Sequence, residues 1–181
     1  MKPWLAPLLV LLVGGCAPTY DKPDSPYYLV PTGSRLTLLT DLEFQPDQGI
    51  LHFQFGETIP APAVRELQPY CVMYPYTVSE QRQVIKPGEF EIYRVNRGAG
   101  PLWVGAPVMV AQMDDDGPSH WYYKTYLYAQ SPTRAERFQL ICLVDRLTAS
   151  GLIGSWLTVD EIRETLQGIF TLTLAGETDK S

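Results

Sequence analysis

The sequence predicts a mainly β protein, an antiparallel sandwich or barrel of about eight strands with one short C-terminal helix. Apolar and polar residues alternate in many short segments, which is the pattern of strands with one buried face. The chain also contains 11 Tyr, 16 Pro and 14 Gly, and these residue types favour strands joined by turns. Residues 34–181 show no internal repeat and no second domain, so they are predicted to form a single β-rich domain.

Several segments have the periodicity or composition of strands. Alternation is clearest in residues 50–55, where apolar residues alternate with His52 and Gln54. Residues 138–147 are apolar on both faces, as in a central strand. A turn signal at residues 46–49 (Pro-Asp-Gln-Gly) predicts that the two strands flanking it form a hairpin. The predicted strands are residues 35–41, 50–55, 70–78, 89–97, 102–113, 120–130, 138–147 and 169–174.

One helix is predicted near the C-terminus. Thr158 and Glu161 have the spacing of a capping box, in which the side chain of each residue accepts a hydrogen bond from the backbone N–H of the other. Asp160 adds negative charge at the positive end of the helix dipole, and Gly168 is a suitable C-terminal cap. The helix is expected to pack over one end of the sheet.

Residues 1–15 have the features of a secretory signal peptide. Lys2 is followed by an apolar run over residues 5–13 and by Gly14 and Gly15. A basic start, a short apolar core and small residues before a cleavage site define such signals, whereas a membrane-spanning helix needs about 20 apolar residues. The alternatives are an ordinary soluble secreted protein or a buried first element of the fold.

Cys16 carries the strongest functional signal. The sequence Val13-Gly14-Gly15-Cys16 resembles the lipobox of bacterial lipoproteins. The resemblance implies that the thiol of Cys16 is diacylated and that the signal is cleaved before this residue. Two or more acyl chains anchor a protein stably. Because Ala17 stands where an Asp tends to cause retention at the inner membrane, the resemblance implies an outer-membrane anchor facing the periplasm of a Gram-negative host.

The domain itself resembles uncharacterised lipoproteins of proteobacteria in three places. These are the strand with Tyr70 and Cys71, the segment 86–90 (Lys-Pro-Gly-Glu-Phe), and the strand with Cys142 that precedes the predicted helix. The resemblance implies a location in the cell envelope and no particular activity.

Residues 16–33 are predicted to be the lipidated cysteine and a Pro-rich tether. The four prolines in this segment are typical of an extended linker, which would reach roughly 45 Å from the anchor at about 3.1 Å per residue. The alternative is that residues 27–30 pack on the domain as an edge strand, where Pro31 would be tolerated.

Composition and motifs argue against several functions. The net charge is −6, so neither nucleic acid nor anionic headgroups are expected partners. The chain lacks a phosphate-binding glycine loop, a His-Glu-x-x-His stretch and a Gly-x-Ser-x-Gly elbow. No catalytic residue, cofactor or metal is predicted, although the paired carboxylates of a glycosidase would leave no sequence pattern. Asp114 and Asp116 are a weak Ca²⁺ candidate, and a solvated hairpin turn is favoured for their segment.

Cys71 and Cys142 remain once Cys16 is lipidated. An isolated pair in an oxidising compartment predicts a disulfide. Two buried thiols, or a reactive nucleophile, are the alternatives.

The strand predicted at residues 120–130 is the most aromatic in the chain. One of its faces is expected to join the core (Trp121, Tyr123, Thr125 and Leu127). The other is a candidate binding face (Tyr122, Lys124, Tyr126 and Tyr128). Exposed tyrosines can stack on sugars or anchor a protein partner. The alternative is cross-strand aromatic packing beneath a helix or a loop.

Together these features predict a non-catalytic, lipid-anchored envelope protein that binds another envelope component, with a protein favoured. The second hypothesis is a β-domain that binds a small sugar or apolar molecule, and the third is an envelope hydrolase. A flat exposed tyrosine patch would favour the first and a deep apolar pocket the second. Clustered ionisable groups with perturbed pKa values would favour the third.

Replacement of Cys16 by Ser is expected to abolish acylation, because the acyl glycerol is attached through the thiol. In cells fed a clickable fatty acid, the wild-type chain should be labelled and should sediment with membranes, while the Cys16→Ser chain should carry no label. Cys71→Ser is the matched control and should keep the label. An unlabelled wild-type chain would contradict the lipobox.

Overall fold

The computed structural model describes residues 22–100, 122–145 and 155–177. In these ranges the chain forms ten strands, one 3-10 turn and one helix. The strands are β1 (Arg35–Leu38), β2 (Leu42–Phe44), β3 (Leu51–Gln54), β4 (Glu57–Ile59), β5 (Tyr70–Pro75), β6 (Gln83–Ile85), β7 (Gly88–Gly100), β8 (Tyr122–Gln130), β9 (Arg137–Asp145) and β10 (Phe170–Thr173). The 3-10 turn spans Ala61–Ala63 and helix α1 spans Val159–Leu166.

Eight of these strands form one antiparallel sheet that curves into a half-barrel. Its strand order is β10-β1-β7-β8-β9-β5-β3-β4, and β2 and β6 form a separate two-stranded sheet. The predicted fold class, mainly β with one short helix near the C-terminus, is confirmed. The central place predicted for the strand at residues 138–147 is also confirmed, because β9 lies between β8 and β5.

The main core lies on the inner face of the sheet, the face that carries α1. Alternate residues of the strands bury their side chains there, including Leu36, Phe90 and Leu140, which are fully buried. Helix α1 contributes Val159, Ile162 and Leu166 to the same cluster. The apolar side of the helix therefore packs on the inner face of the sheet, and the two together form a single core.

Helix α1 begins and ends where the sequence predicts. The Thr158 side chain accepts a hydrogen bond from the N–H of Glu161 (3.1 Å), and the Glu161 carboxylate accepts one from the N–H of Thr158 (2.8 Å). Gly168 follows the helix with a φ of 78°, which suits glycine at this cap. Gly56 lets the β3–β4 hairpin approach the helix end, because a Cβ there would lie 2.5 Å from the carbonyl oxygen of Gln167.

The predicted hairpin across residues 46–49 is wrong. The turn is present, but it connects β2 to β3, which belong to different sheets. β1 instead pairs with β7 and β10, where Leu36 stands opposite Phe90 and Leu172. Burial of a shared apolar face therefore selects the partners of β1, and closeness along the chain does not.

Residues 23–33, which the sequence assigns to the tether, pack against the domain. Val30 is buried in the core, and the carbonyl of Pro23 accepts a hydrogen bond from the first residue of α1 (3.2 Å). The guanidinium of Arg97 donates to the carbonyl of Tyr28. The segment is packed without forming a strand. Residues as few as seven positions from the predicted lipidation site therefore pack on the domain.

Some predicted features lie outside the described residues. These are the lipidation site Cys16, the strand at residues 102–113, the weak Ca²⁺ candidates Asp114 and Asp116, and Trp121.

Cys71 and Cys142 form a disulfide, as predicted. They stand directly opposite each other in β5 and β9, and both side chains are fully buried in the core. The bond joins two neighbouring strands in the middle of the sheet across a sequence separation of 71.

Replacement of both Cys71 and Cys142 by Ala is expected to lower the free energy of unfolding by about 4 kcal/mol, because the crosslink restricts a long loop of the unfolded chain. Urea unfolding followed by circular dichroism measures the change. Wild-type protein in reductant should fall to the same stability, while reductant should leave the double variant unchanged. If reduction does not raise the wild-type mass by two hydrogens, the bond is absent.

Candidate functional site

The outer face of the sheet, opposite α1, is rich in tyrosine. Strand pairing places Tyr70 and Tyr74 of β5 on one side of β9 and Tyr126 and Tyr128 of β8 on the other. Successive side chains of a strand point to opposite faces, so one register brings these rings to one surface. Seven of the 11 tyrosines contribute to it, and it is called the tyrosine face: Tyr70, Tyr74, Tyr76, Tyr93, Tyr122, Tyr126 and Tyr128.

Apolar residues fill the middle of this surface. The register aligns Val72, Ile141 and Tyr126 in one row across three strands. Leu143 in the adjoining row is fully buried. The tyrosine face therefore has a packed apolar centre beneath its phenol groups, and this fixes the positions of the rings.

One end of the tyrosine face is covered by the chain that follows β4. Tyr122 is only 4% exposed, and its hydroxyl donates to the carboxylate of Glu66 (2.8 Å). The carbonyl of Glu66 also accepts from the N–H of Asp145 (3.2 Å). Tyr122, expected on an exposed binding face, is therefore covered by this loop. Lys124, expected on the same face, is also buried, and burial lowers its pKa.

The other end is open to solvent. Tyr76 is 53% and Tyr93 37% exposed, and their hydroxyls are 3.0 Å apart. The guanidinium carbon of Arg94 lies 3.7 Å from the ring centre of half-buried Tyr128, and that of Arg137 lies 5.5 Å from the ring of Tyr76. Aromatic rings and guanidinium groups are thus presented together. Of the predicted binding residues, Tyr126 and Tyr128 belong to this accessible part.

Burial raises the pKa of four phenols of the tyrosine face, those of Tyr70, Tyr74, Tyr122 and Tyr126. Desolvation is the largest cause that raises the pKa of Tyr70 and of Tyr122 above the ordinary value. For Tyr122, the hydrogen bond to Glu66 raises the pKa further. Burial also raises the pKa of Tyr74 and of Tyr126. These four phenols therefore stay protonated to higher pH than a free phenol and keep their hydroxyl donors.

A solvent-open cavity of about 450 Å³ borders the exposed end of the tyrosine face. It lies between the end of β5, strand β6 and the start of β9, and its wall includes Tyr76, Gln83, Glu136 and Arg137. The wall combines the ring of Tyr76 and several apolar side chains of β5 and β6 with charged and amide groups. Because the cavity is open to solvent, it differs from a deep apolar pocket.

Sequence reasoning missed a second aromatic cluster at the opposite end of β7 and β8. The ring of Trp156 lies 5.4 Å from that of Tyr123 and 6.3 Å from that of Tyr27. Its indole N–H donates to the carbonyl of Gly98 (3.2 Å), and the Arg97 guanidinium lies 5.2 Å from its ring. These residues come from distant segments, and no periodicity links them.

The residue types that bind metals are dispersed in the described ranges. Among them, no group of three or more His, Cys, Asp or Glu side chains could hold a metal ion. His52 lies in β3, and burial lowers its pKa. In the same part of the chain, no helix has the length and apolar character needed to cross a membrane.

Comparison with known proteins gives no relative from which a function could be transferred. No protein-family model matches the chain, and no curated protein or solved structure matches it. The tyrosine face is therefore interpreted from its own chemistry.

Tyr122→Phe is expected to reduce the loss of stability at alkaline pH. The folded pKa of Tyr122 is raised above the ordinary value of 10.0, so its contribution to stability is complete below that pH and is lost as the pH rises. In urea titrations, the free energy of unfolding should fall less steeply above about pH 10 in the variant than in wild type. Leu39→Ala, at an exposed position, removes no ionisable group; it is the control and should keep the wild-type slope. Equal slopes for Tyr122→Phe and wild type would contradict the burial of the Tyr122 phenol.

Proposed function

We propose that this chain is a lipid-anchored protein of the bacterial envelope, attached to the outer membrane through Cys16, which binds another envelope protein through the tyrosine face. The observation that carries the proposal is the gathering of seven of 11 tyrosines on one face of a sheet. Arg94 and Arg137 lie against the exposed rings. Tyr and Arg are among the residue types that dominate the energy of protein interfaces.

The tyrosine face is suited to binding because its rings are already ordered. Tyr126 and Tyr128 are half-buried, and the Arg94 guanidinium stacks on the ring of Tyr128. Fewer side chains would have to be immobilised when a partner docks, which lowers the entropic cost of association. Each neutral phenol can also donate and accept a hydrogen bond at the edge of an apolar contact.

The predicted cellular location agrees with a role in the envelope. The signal sequence at residues 1–15 and the lipobox ending at Cys16 support export and acylation. A disulfide between Cys71 and Cys142 is the form expected in an oxidising compartment. Attachment through acyl chains does not require a basic surface, so it is compatible with the acidic net charge of the chain.

Binding of a small sugar is the second candidate, and the cavity beside Tyr76 favours it. Its volume of about 450 Å³ lies in the range of ligand sites. An aromatic ring can stack on a sugar, while Gln83, Glu136 and Arg137 can bond hydroxyl groups. A protein partner is preferred because the tyrosine face extends well beyond this cavity.

A photo-crosslinking amino acid at position 128 is expected to capture a discrete envelope protein in living cells. The same group at position 39, an exposed position just after β1, is the control and should not give that adduct. With the captured protein purified, Tyr128→Ala should raise its Kd at least about fivefold, since truncation of a dominant interface tyrosine costs more than about 1 kcal/mol. Equal adducts at both positions, or an unchanged Kd, would contradict the tyrosine face as the interface.

A sugar retained in the purified protein, with no protein adduct at position 128, would favour the second candidate.

A further inference from the structure

The first residues that the structure describes are held beside the N-terminus of helix α1. The carbonyl of Pro23 accepts a hydrogen bond from the N–H of Val159 (3.2 Å). Five residues later, the carbonyl of Tyr28 accepts one from Arg97. The point where the chain joins the domain is therefore a defined place on its surface, next to the aromatic cluster around Trp156.

The chain between this point and the proposed anchor is short. Residues 17–22 can span about 20 Å when fully extended. A domain of this length is on the order of 40 Å across by the size scaling of globular chains. The joining end of the domain is therefore kept nearer the membrane than the opposite end.

Aromatic and apolar side chains surround the joining point. Tyr27 and Leu29 are each 48% exposed, and Trp156 is half-buried with its ring 6.3 Å from that of Tyr27. Tyr and Trp are favoured at membrane–water interfaces because their rings are amphipathic. Tyr27, Leu29 and Trp156 are called the anchor-proximal patch.

We propose that the anchor-proximal patch rests in the headgroup region of the bilayer to which the protein is attached, and so sets the orientation of the domain. The inference depends on the proposed acylation of Cys16. A small patch binds lipid weakly when it is free in solution. On a short tether the contact becomes intramolecular, and the high effective concentration makes it persist.

The charges near the patch identify the kind of lipid surface that it fits. Two positive charges, exposed Lys22 and half-buried Arg97 against the ring of Trp156, are matched by two exposed carboxylates, Asp24 and Asp160. This balance gives no attraction for an anionic surface, which requires clustered basic residues. The contact therefore depends on the amphipathic rings and Leu29, and it should form on zwitterionic lipid.

Quenching of Trp156 fluorescence by brominated lipid tests the proposal. The acylated mature protein carries Trp103→Phe and Trp121→Phe, so that Trp156 is its sole tryptophan, and it is placed in phosphatidylcholine vesicles with or without bromine on the upper acyl chain. Emission is expected to be about twofold lower with brominated lipid, because interfacial rings lie at the acyl boundary. Flotation of the vesicles in the same samples reports the anchor independently.

Two double variants separate the patch from general surface hydrophobicity. Tyr27→Ser/Leu29→Ser should abolish the quenching while the protein still floats with the vesicles. Leu39→Ser/Val84→Ser is the matched control, because these apolar side chains are 50% and 37% exposed and lie near the other end of β7; it should keep the quenching.

Each contrary result has a distinct meaning. Loss of wild-type flotation would overturn the lipid anchor. Flotation without quenching would overturn the docked orientation. Quenching that persists in Tyr27→Ser/Leu29→Ser, or that appears only when anionic lipid is added, would overturn the role assigned to the anchor-proximal patch.

Discussion

The pairing of β9 with β5 on one side and with β8 on the other fixes both faces of the sheet at once. Cys142 stands opposite Cys71 and also opposite Thr125, and all three point into the core. Their neighbours Ile141 and Leu143 must then point outward, into the tyrosine face. A slip of one residue would exchange the two faces. The disulfide at the inner position opposes that slip, because it links the two strands in one register only.

Both faces of this sheet are partly covered, and the two covers differ in extent. Helix α1 closes the inner face, whereas the chain around Glu66 covers one end of the outer face. Burial therefore decreases along β8 from Tyr122 to Tyr128. The tyrosines at the covered end contribute to stability through packing and the hydrogen bond to Glu66. Those at the open end keep surface that a partner can bury, and this divides one row of similar residues into a structural part and a binding part.

The features that sequence predicted well depend on residues close together in the chain. The capping box of Thr158 and Glu161 needs a separation of three, and residues 51–53 alternate as a strand should. The same alternation is wrong for Gln54, which is buried, and for Phe55, which is 58% exposed. Contacts between distant segments left no such signal. The tyrosine face was therefore predicted only from its β8 members, since Tyr70 and Tyr74 join it through the register of β9. Burial of the segment around Val30 likewise comes from elements far along the chain.

The two surfaces lie toward opposite ends of the same strands, and this makes the two proposals compatible. Tyr123, beside Trp156, is near the start of β8, while Tyr128 is near its end. The rise of a strand separates them by about 17 Å. A domain seated on its anchor-proximal patch would thus direct the exposed tyrosines and the cavity beside Tyr76 away from the bilayer. The partner must then approach from the periplasmic side, and the buried end of the tyrosine face with Tyr122 would lie nearest the lipid. A short tether would in this way give the binding surface a fixed direction, which acyl chains on a long flexible linker could not provide.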